Sequence, residues 1–234
     1  MRRMTGIVWL LLCLLGLYSE AAADGPDVYP VSPGWVTALP SAETAEQMVI
    51  VVGEDVPNAS VSLHEKDADG IWREILTTSG YIGREGMGKA AEGDALTPTG
   101  VFHFTEAFGI LPDPGCAIAY HQVDADDYWS GDQRPGYAYN HMVNLADYPD
   151  LDTGCSEHLI DCAGFYEYCL NISWNEEGVP GKGSAIFLHC IHPDVPYTEG
   201  CVAIPEEDMA EILRRVRPDC VVVMNTYQEL RSGH

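Results

Sequence analysis

Short apolar runs separated by glycine and proline dominate the chain from residue 48 onwards. The clearest is the Met-Val-Ile-Val-Val run at 48–52, which ends at Gly53 and is suited to a buried strand. Comparable β-branched or aromatic runs occupy 101–104, 168–173, 185–189 and 220–224. Many short strands between turn residues favour a β-sandwich or a β-barrel. The pattern therefore predicts a mainly β domain with one or two helices.

Two further segments have clear local signals. Apolar and polar positions alternate in residues 59–64, and the turn sequence Asp-Ala-Asp-Gly at 67–70 leads into a second strand-like run at 71–76. Together they predict a β-hairpin. A helix is predicted just after Pro205, because acidic residues are followed by apolar positions at helical spacing and then by arginines ahead of Pro218.

The first 23 residues have the three parts of an export signal. Arg2 and Arg3 precede an apolar block at 7–17, and three alanines at 21–23 come before Asp24. The apolar block has roughly 11 residues, well short of the ~20 needed to span a bilayer. We therefore predict a cleaved signal peptide at 1–23, no membrane anchor after cleavage, and a location that is secreted, periplasmic or associated with the cell wall.

The rest of the chain is predicted to hold one domain. Residues 24–46 are rich in Pro, Ser and Ala without a sustained period and predict a linker, followed by one domain at 47–227 and a C-terminal tail at 228–234. Within the domain, 113–161 is a loop-rich insert whose scattered aromatic residues form either local core or one wall of a substrate groove. An apolar content of 46% over 234 residues is enough for a sizeable core.

The chain is strongly acidic, with 36 Asp and Glu against 12 Lys and Arg and a formal net charge of −24. Nucleic acids and anionic membrane surfaces are bound largely by Lys and Arg side chains that neutralise phosphates. We therefore predict neither as a partner. The charge is interpreted as that of a soluble extracellular or salt-tolerant surface in preference to an acidic docking face.

The cysteines point to one thiol kept free for chemistry. Of eight cysteines, Cys13 lies in the predicted signal peptide, and seven remain, an odd number. In an oxidising compartment six can pair and one is left over, whereas a host without oxygen would leave all of them reduced. We expect Cys155, Cys162 and Cys169 to form disulfides in the insert, and Cys190 to be buried or bonded away from the reactive thiol. Their spacing fits zinc poorly, so no metal and no cofactor is predicted.

Cys201 is the candidate for the free thiol. It follows Gly200 in the run Thr-Glu-Gly-Cys at 198–201, twelve positions after His189. A thiol with a pKa of about 8.5 is mostly protonated at neutral pH, so it needs a neighbouring imidazole to take the proton. Glycine permits a tight turn in which the amides of Gly200 and Cys201 face a developing oxyanion. These residues predict acyl transfer through a thioester.

Four segments resemble one known family. They occur in the order GYIGREGMG (80–88), TPTGVFHF (97–104), GSAIFLHC (183–190) and TEGCVAI (198–204). Together they resemble the catalytic domain of the L,D-transpeptidases, of the YkuD type, over most of residues 45–227. The resemblance implies a divergent member of a family that joins or trims peptidoglycan stem peptides outside the membrane through a cysteine acyl-enzyme.

The resemblance also implies roles for individual residues. The family's Ser/Thr-x-Gly-Cys motif falls on 198–201 and its upstream histidine on His189, with the carbonyl of Cys190 as the acceptor that orients the imidazole. Two positions depart from the family pattern: Glu199 stands where His is common, and Ala203 where Arg is common. The interval from histidine to cysteine is also shorter than in better-known members. The lost arginine bears on substrate binding, whereas the nucleophile is retained.

Five other residues are weaker candidates for the site. Thr198 is expected to brace the loop through a hydrogen bond from its hydroxyl to the backbone. His192, which precedes Pro193 in a polar loop, is the rival base to the upstream histidine. Three residues of the insert, His158, Tyr139 and Asn140, are candidates for lining the groove.

We predict an exported cysteine acyltransferase that forms a thioester between Cys201 and a peptidoglycan stem peptide and passes the acyl group to an amine. An L,D-carboxypeptidase, in which water replaces the amine, stays open because the groove and not the Cys–His pair selects the acceptor. A catalytically inactive wall-binding module is the alternative from another class, and the missing arginine keeps it open.

Overall fold

The computed structural model describes residues 29–232, so the predicted signal peptide at 1–23 lies outside the described residues. The strands are β1 (Gln47–Gly53), β2 (Asn58–Lys66), β3 (Trp72–Tyr81), β4 (Gly100–Gly109), β5 (Tyr120–Gln122), β6 (Asp127–Trp129), β7 (Met142–Asn144), β8 (Glu157–His158), β9 (Cys169–Ile172), β10 (Phe187–Cys190), β11 (Val202–Ile204) and β12 (Val221–Thr226). The helices are α1 (Gly34–Thr37), α2 (Glu206–Arg215) and α3 (Tyr227–Ser232), with 3₁₀ turns at Pro40–Glu43 and Leu159–Asp161.

Eight of these strands close into a barrel, which confirms the mainly β prediction and selects a barrel over two packed sheets. The order around the barrel is β12-β1-β2-β3-β11-β10-β9-β4, and β4 pairs with β12 to complete the ring. Strand β5 is added beside β4. The predicted hairpin is confirmed as the antiparallel pair β2–β3.

Strand β1 shows why its sequence is an unbroken apolar run. Val49 and Val51 belong to the core inside the barrel, whereas Met48 and Ile50 belong to a second cluster on its outer face. Successive side chains of a strand point to opposite faces, so a strand that is covered on both sides is apolar at every position.

The second cluster is built by the segment that the sequence predicts as a linker. From residue 29 this segment packs on the barrel, and Val36, Leu39 and Ala42 are buried. Leu230 joins them from α3, so part of the predicted tail at 228–234 is also folded. The linker prediction differs from the structure because α1 and the first 3₁₀ turn have four residues each, too few to show a hydrophobic period.

Helix α2 confirms the helix predicted after Pro205. Its apolar face enters the barrel core, where Met209, Ile212 and Leu213 are buried. Each such side chain contributes roughly 1.5–3 kcal/mol on burial. No helix in the described part of the chain is both long enough and apolar enough to cross a membrane.

The insert folds as a small three-stranded sheet, in the order β7-β6-β8, against the outside of the barrel. Trp129 of β6 is 1% exposed and packs edge-on against Phe187 of β10, with ring centroids 4.7 Å apart. Phe108 and Tyr166 complete this aromatic cluster. Trp129 is therefore local core, and it attaches the insert to the strand that carries His189.

Candidate active site

The candidate site lies on the outer face of the barrel, between β10 and the insert. In β10 the side chains of Leu188 and Cys190 belong to the barrel core, so those of Phe187 and His189 point outward. Strands β10 and β11 are parallel, and the chain must therefore cross over between them. The crossover ends at Cys201, which it sets beside Phe187.

His189 and Cys201 line one cavity of about 470 Å³. Thr198 and Glu199 line it as well, so the structure brings these four of the sequence-predicted site residues together. The rest of its wall comes from residues 89–93, from residues 184–186, which precede β10, from the crossover, and from the insert and the segment that follows it.

The thiol of Cys201 contacts two backbone groups. It donates to the carbonyl of Ala185 at 3.1 Å and accepts from the N–H of Phe187 at 3.3 Å. Within residues 29–232 no hydrogen bond joins this thiol to the imidazole of His189. Burial raises the pKa of Cys201 to about 12, and the Phe187 N–H offsets the shift only in part. The resting group is therefore a protonated thiol.

The imidazole of His189 is oriented and neutral. Its Nδ1 lies 2.8 Å from the carbonyl oxygen of Cys190, the acceptor that the resemblance implies. A carbonyl only accepts, so Nδ1 carries the hydrogen and Nε2 keeps a free lone pair. The residue is 5% exposed, under the rings of Phe165 and Tyr166. Burial lowers the pKa of His189 to about 4, although hydrogen bonding to the backbone of Cys190 and of Phe165 opposes this. The group is a base and not a cation at neutral pH.

Two threonine hydroxyls hold the loop in front of the thiol. Thr198 donates to the carbonyl of Cys201 at 2.7 Å, and Thr97 donates to the same oxygen at 3.1 Å. Gly200 has φ 141°, a conformation that favours glycine. Its N–H donates to the hydroxyl of Thr198 at 3.1 Å. This corrects the prediction that the Gly200 amide faces an oxyanion. The N–H of Cys201, in contrast, makes no hydrogen bond within residues 29–232.

The two positions that depart from the family pattern lie in different surroundings. Glu199 is exposed at the rim of the cavity, where its carboxylate pairs with the guanidinium of Arg84. Ala203 lies in β11 opposite His189 and Tyr81, and it is buried. No cation reaches the site from position 203.

Two of the weaker histidine candidates do not line the cavity. His158 stacks on Tyr128 with ring centroids 4.5 Å apart, and its Nδ1 lies 2.7 Å from a carboxylate oxygen of Asp161. His192 stacks on Phe165, also at 4.5 Å. The expectation that His158 lines the groove is therefore not met, because the fold turns its ring to the surface of the insert.

Tyr139 and Asn140 lie one layer behind the cavity. Asn140 is 3% exposed, and its Oδ1 accepts from the N–H of Ala185 at 2.9 Å and from the indole of Trp129 at 3.0 Å. Tyr139 donates its hydroxyl hydrogen to Glu92, a residue of the cavity wall. Both therefore act on the site through the residues that they hold.

Sequence reasoning missed three ionisable residues of the cavity, Lys89, Glu92 and Glu157. The Lys89 side chain is 2% exposed, and its ammonium lies 2.9 Å from a carboxylate oxygen of Asp94. Glu157 comes from the insert and accepts from the hydroxyl of Tyr166 at 2.6 Å, while burial raises the pKa of its carboxyl. Lys89 directly follows the GYIGREGMG segment, which was the one available signal. Nothing local marks Glu157.

All seven cysteines in the described residues are free thiols, which corrects the disulfides expected in the insert. Cys155 is exposed, Cys162 lines the cavity and Cys169 is buried. Cys190 is buried, with its Sγ directed to a backbone carbonyl. The odd number of cysteines therefore did not identify the reactive one. In the same part of the chain, no group of three or more His, Cys, Asp or Glu side chains is arranged to hold a metal ion.

Comparisons with known proteins bear on this site. The sequence matches the family model YkuD, the L,D-transpeptidase catalytic domain, over residues 46–224. No curated protein matches it. Among solved structures, the helical cell shape determining protein Pgp2 from Campylobacter jejuni is similar at 16% identity and a TM-score of 0.39, over 77% of this chain and 48% of that one. A lysine-to-alanine mutant of Pgp2 is similar at 15% identity and 0.38, over 86% and 62%.

The chain thus spans about half to three-fifths of the length of these Pgp2 structures, at 48% and 62%. The family match, in contrast, extends over most of this chain, from the first barrel strand to the last. It includes β10, the crossover and the cysteine that ends it. The protein belongs to the YkuD family of L,D-transpeptidase catalytic domains.

Proposed function

We propose that this protein is an exported L,D-transpeptidase that acylates Cys201 with a peptidoglycan stem peptide and transfers the acyl group to an amine. The observation that carries the proposal is that a neutral, oriented imidazole and a cysteine thiol line one cavity. Family membership supports the substrate class, because the family acts on peptidoglycan. Export is supported by the sequence pattern of residues 1–23.

The first half-reaction follows from the protonation states. The thiol turns from the Ala185 carbonyl towards His189, and Nε2 takes its proton as sulfur attacks the carbonyl carbon that precedes the terminal D-alanine. The carbonyl π electrons move to oxygen. When they return, the C–N bond breaks, His189 gives the proton to the leaving amine, and a thioester remains on Cys201.

The second half-reaction releases the enzyme. An acceptor amine attacks the thioester carbon, His189 removes the amine proton, and the C–S bond breaks as the proton returns to sulfur. Water in place of the amine would give an L,D-carboxypeptidase through the same steps. The products formed from muropeptides distinguish the two reactions.

The decisive experiment incubates the protein that begins after residue 23 with purified muropeptides and identifies the products by mass spectrometry. Cross-linked dimers that Cys201→Ala does not form would support the transpeptidase. Loss of the terminal D-alanine without dimers would indicate the carboxypeptidase. Binding to isolated cell walls without any product would indicate an inactive wall-binding module. Cys155→Ala is the matched control, because Cys155 is an exposed cysteine outside the catalytic cavity.

A further inference from the structure

The cavity places negative charge around a reaction that itself generates negative charge. The carboxylates of Glu92 and Glu199 line it, together with the carboxyl group of Glu157, whose pKa is raised by burial. Attack by sulfur on a carbonyl puts a full charge on oxygen, and nearby carboxylates disfavour that charge. Lys89 is the one lysine or arginine among the described residues that line the cavity. It is thus the available source of a compensating positive charge.

Lys89 is held in place before any substrate arrives. Its Nζ lies 2.9 Å from Oδ1 of Asp94. Asp94 accepts further hydrogen bonds from the backbone N–H groups of Ala90, at 2.7 Å, and Ala91, at 2.9 Å. Burial alone would raise the pKa of Asp94, but these bonds and Lys89 hold it well below its usual range. An ammonium has three N–H donors, and this pair uses one of them.

The ammonium is close to the backbone that carries the nucleophile. A Cβ added to Gly200, the residue before Cys201, would lie 3.6 Å from Nζ of Lys89. The amide of Gly200 is already bonded to Thr198, whereas that of Cys201 has no partner within residues 29–232. The loop therefore offers one free backbone donor to an oxyanion, the N–H of Cys201. A second donor must come from a side chain, and Nζ of Lys89 lies beside Gly200.

We propose that Nζ of Lys89 and the backbone N–H of Cys201 together form the oxyanion site, with Lys89 in place of the Gly200 amide. The inference rests on the proposed acyl transfer. Lys89 donates a hydrogen bond to the oxygen while that oxygen carries the charge, and it keeps its proton throughout. The thiol proton goes to Nε2 of His189 and then to the leaving amine, and the electron pair on oxygen returns to restore the carbonyl.

Two reactions of the Cys201 thiol distinguish a role of Lys89 in the oxyanion site from an effect on the thiol or on the fold. p-Nitrophenyl acetate acylates a cysteine through a tetrahedral oxyanion, whereas iodoacetamide alkylates it by displacing iodide, without an oxyanion. For Lys89→Met we expect acylation of Cys201 to slow by ~10²–10³-fold, the usual loss for one oxyanion donor, and alkylation to change only a few-fold. Lys89→Arg should restore much of the acylation rate, because it keeps a charged donor. Lys182→Met is the matched control, an exposed lysine near the ring of Trp174 and outside the cavity.

Other outcomes overturn the inference. Equal slowing of both reactions would mean that Lys89 affects the reactivity of the thiol or the stability of the fold. Unchanged acylation would mean that Lys89 takes no part in the reaction. If Lys89→Met fails to fold, Lys89→Met combined with Asp94→Asn removes the unpaired carboxylate and supports the same comparison. Native protein that is alkylated but never acylated on Cys201 would also refute the oxyanion site. If only the proposed function is wrong, acylation by p-nitrophenyl acetate would still depend on Lys89, but muropeptides would give no product.

Discussion

The thiol of Cys201 donates its hydrogen bond to the carbonyl of Ala185, at 3.1 Å, and not to the imidazole of His189. Ala185 has φ 54°, a left-handed conformation that is uncommon for residues other than glycine. Its N–H is held by Oδ1 of Asn140 at 2.9 Å. Asn140, a residue of the insert, thus fixes the position of the Ala185 carbonyl to which the resting thiol donates.

Asn140→Ala should destabilise the protein and slow acylation of Cys201. The substitution leaves the N–H groups of Ala185 and Trp129 without their buried acceptor, and each such loss typically costs about 1–3 kcal/mol. Urea unfolding measures the first effect and p-nitrophenyl acetate the second. Asn144→Ala is the control, because Asn144 lies in the same insert and bonds to Asp127 instead. A folded Asn140→Ala that acylates at the native rate would contradict the positioning role.

Cys201→Ala should keep the fold and lose the covalent adduct with a stem tetrapeptide. The residue is half-buried and removal of its one sulfur atom leaves a small volume, so we expect thermal unfolding to change little. Intact-mass spectrometry detects the adduct. Cys162→Ala is a close control, since burial also raises the pKa of Cys162 to about 12 and its side chain lines the same cavity. An adduct that survives in Cys201→Ala would exclude Cys201 as the nucleophile.

His189→Ala should slow acylation by ~10²–10⁴-fold, the usual range for loss of a general base. His192→Ala should change the rate little, because that ring stacks on Phe165 and does not line the cavity. Single-turnover rates of the two variants decide between them. The reverse ranking would make His192 the base.

Acylation should be nearly independent of pH across the neutral range. Burial lowers the pKa of His189 to about 4 and raises that of Cys201 to about 12, so neither group titrates in between. Alkylation by iodoacetamide requires thiolate and should instead rise about tenfold per pH unit. Rate profiles of both reactions from acid to mild alkali test this. If the acylation rate instead changed with pH near the ordinary pKa of histidine, the resting pair would be a thiolate and an imidazolium and not a thiol and a neutral imidazole.

Stability should fall as the solution becomes mildly acidic. Burial lowers the pKa of His64 to about 4, as it does for His189, while both have ordinary values when unfolded. Below about pH 6.5 the unfolded chain binds more protons than the folded one, so the free energy of unfolding decreases as pH drops towards 4. Each histidine contributes up to about 1.4 kcal/mol per unit of pKa shift. Urea unfolding of the native protein and of His64→Gln should show a shallower pH dependence for the variant, and equal slopes would contradict this.

Much of the fold was accessible from local sequence. The run at 48–52 predicts β1, the alternation at 59–64 with the turn at 67–70 predicts the β2–β3 hairpin, and the residues after Pro205 predict α2. Each pattern reflects which side chains one element buries, and the element itself sets its period. The same local information brought out the Thr-Glu-Gly-Cys run and the resemblance to the family that the chain belongs to.

Other features had no such signal. The segment from residue 29 to 46 lacks a period because its elements are a single turn long, yet the outer face of β1 gives it a surface on which to pack. The disulfide expectation rested on counting cysteines, and pairing depends on which of them the fold brings within reach.

The sequence by itself determined most of the barrel strands, the main helix and the family, and it singled out the two residues at the centre of the candidate site, because each depends on the chain close to it. Only the tertiary structure decided what surrounds that thiol. Asn140 reaches Ala185 across 45 positions, and Thr97 reaches the Cys201 carbonyl across 104. Lys89 and Glu157 enter the cavity from two separate segments that both lie far before Cys201 in the chain. Hydrogen-bond partners and burial depend on distance in space, which the order of residues does not specify.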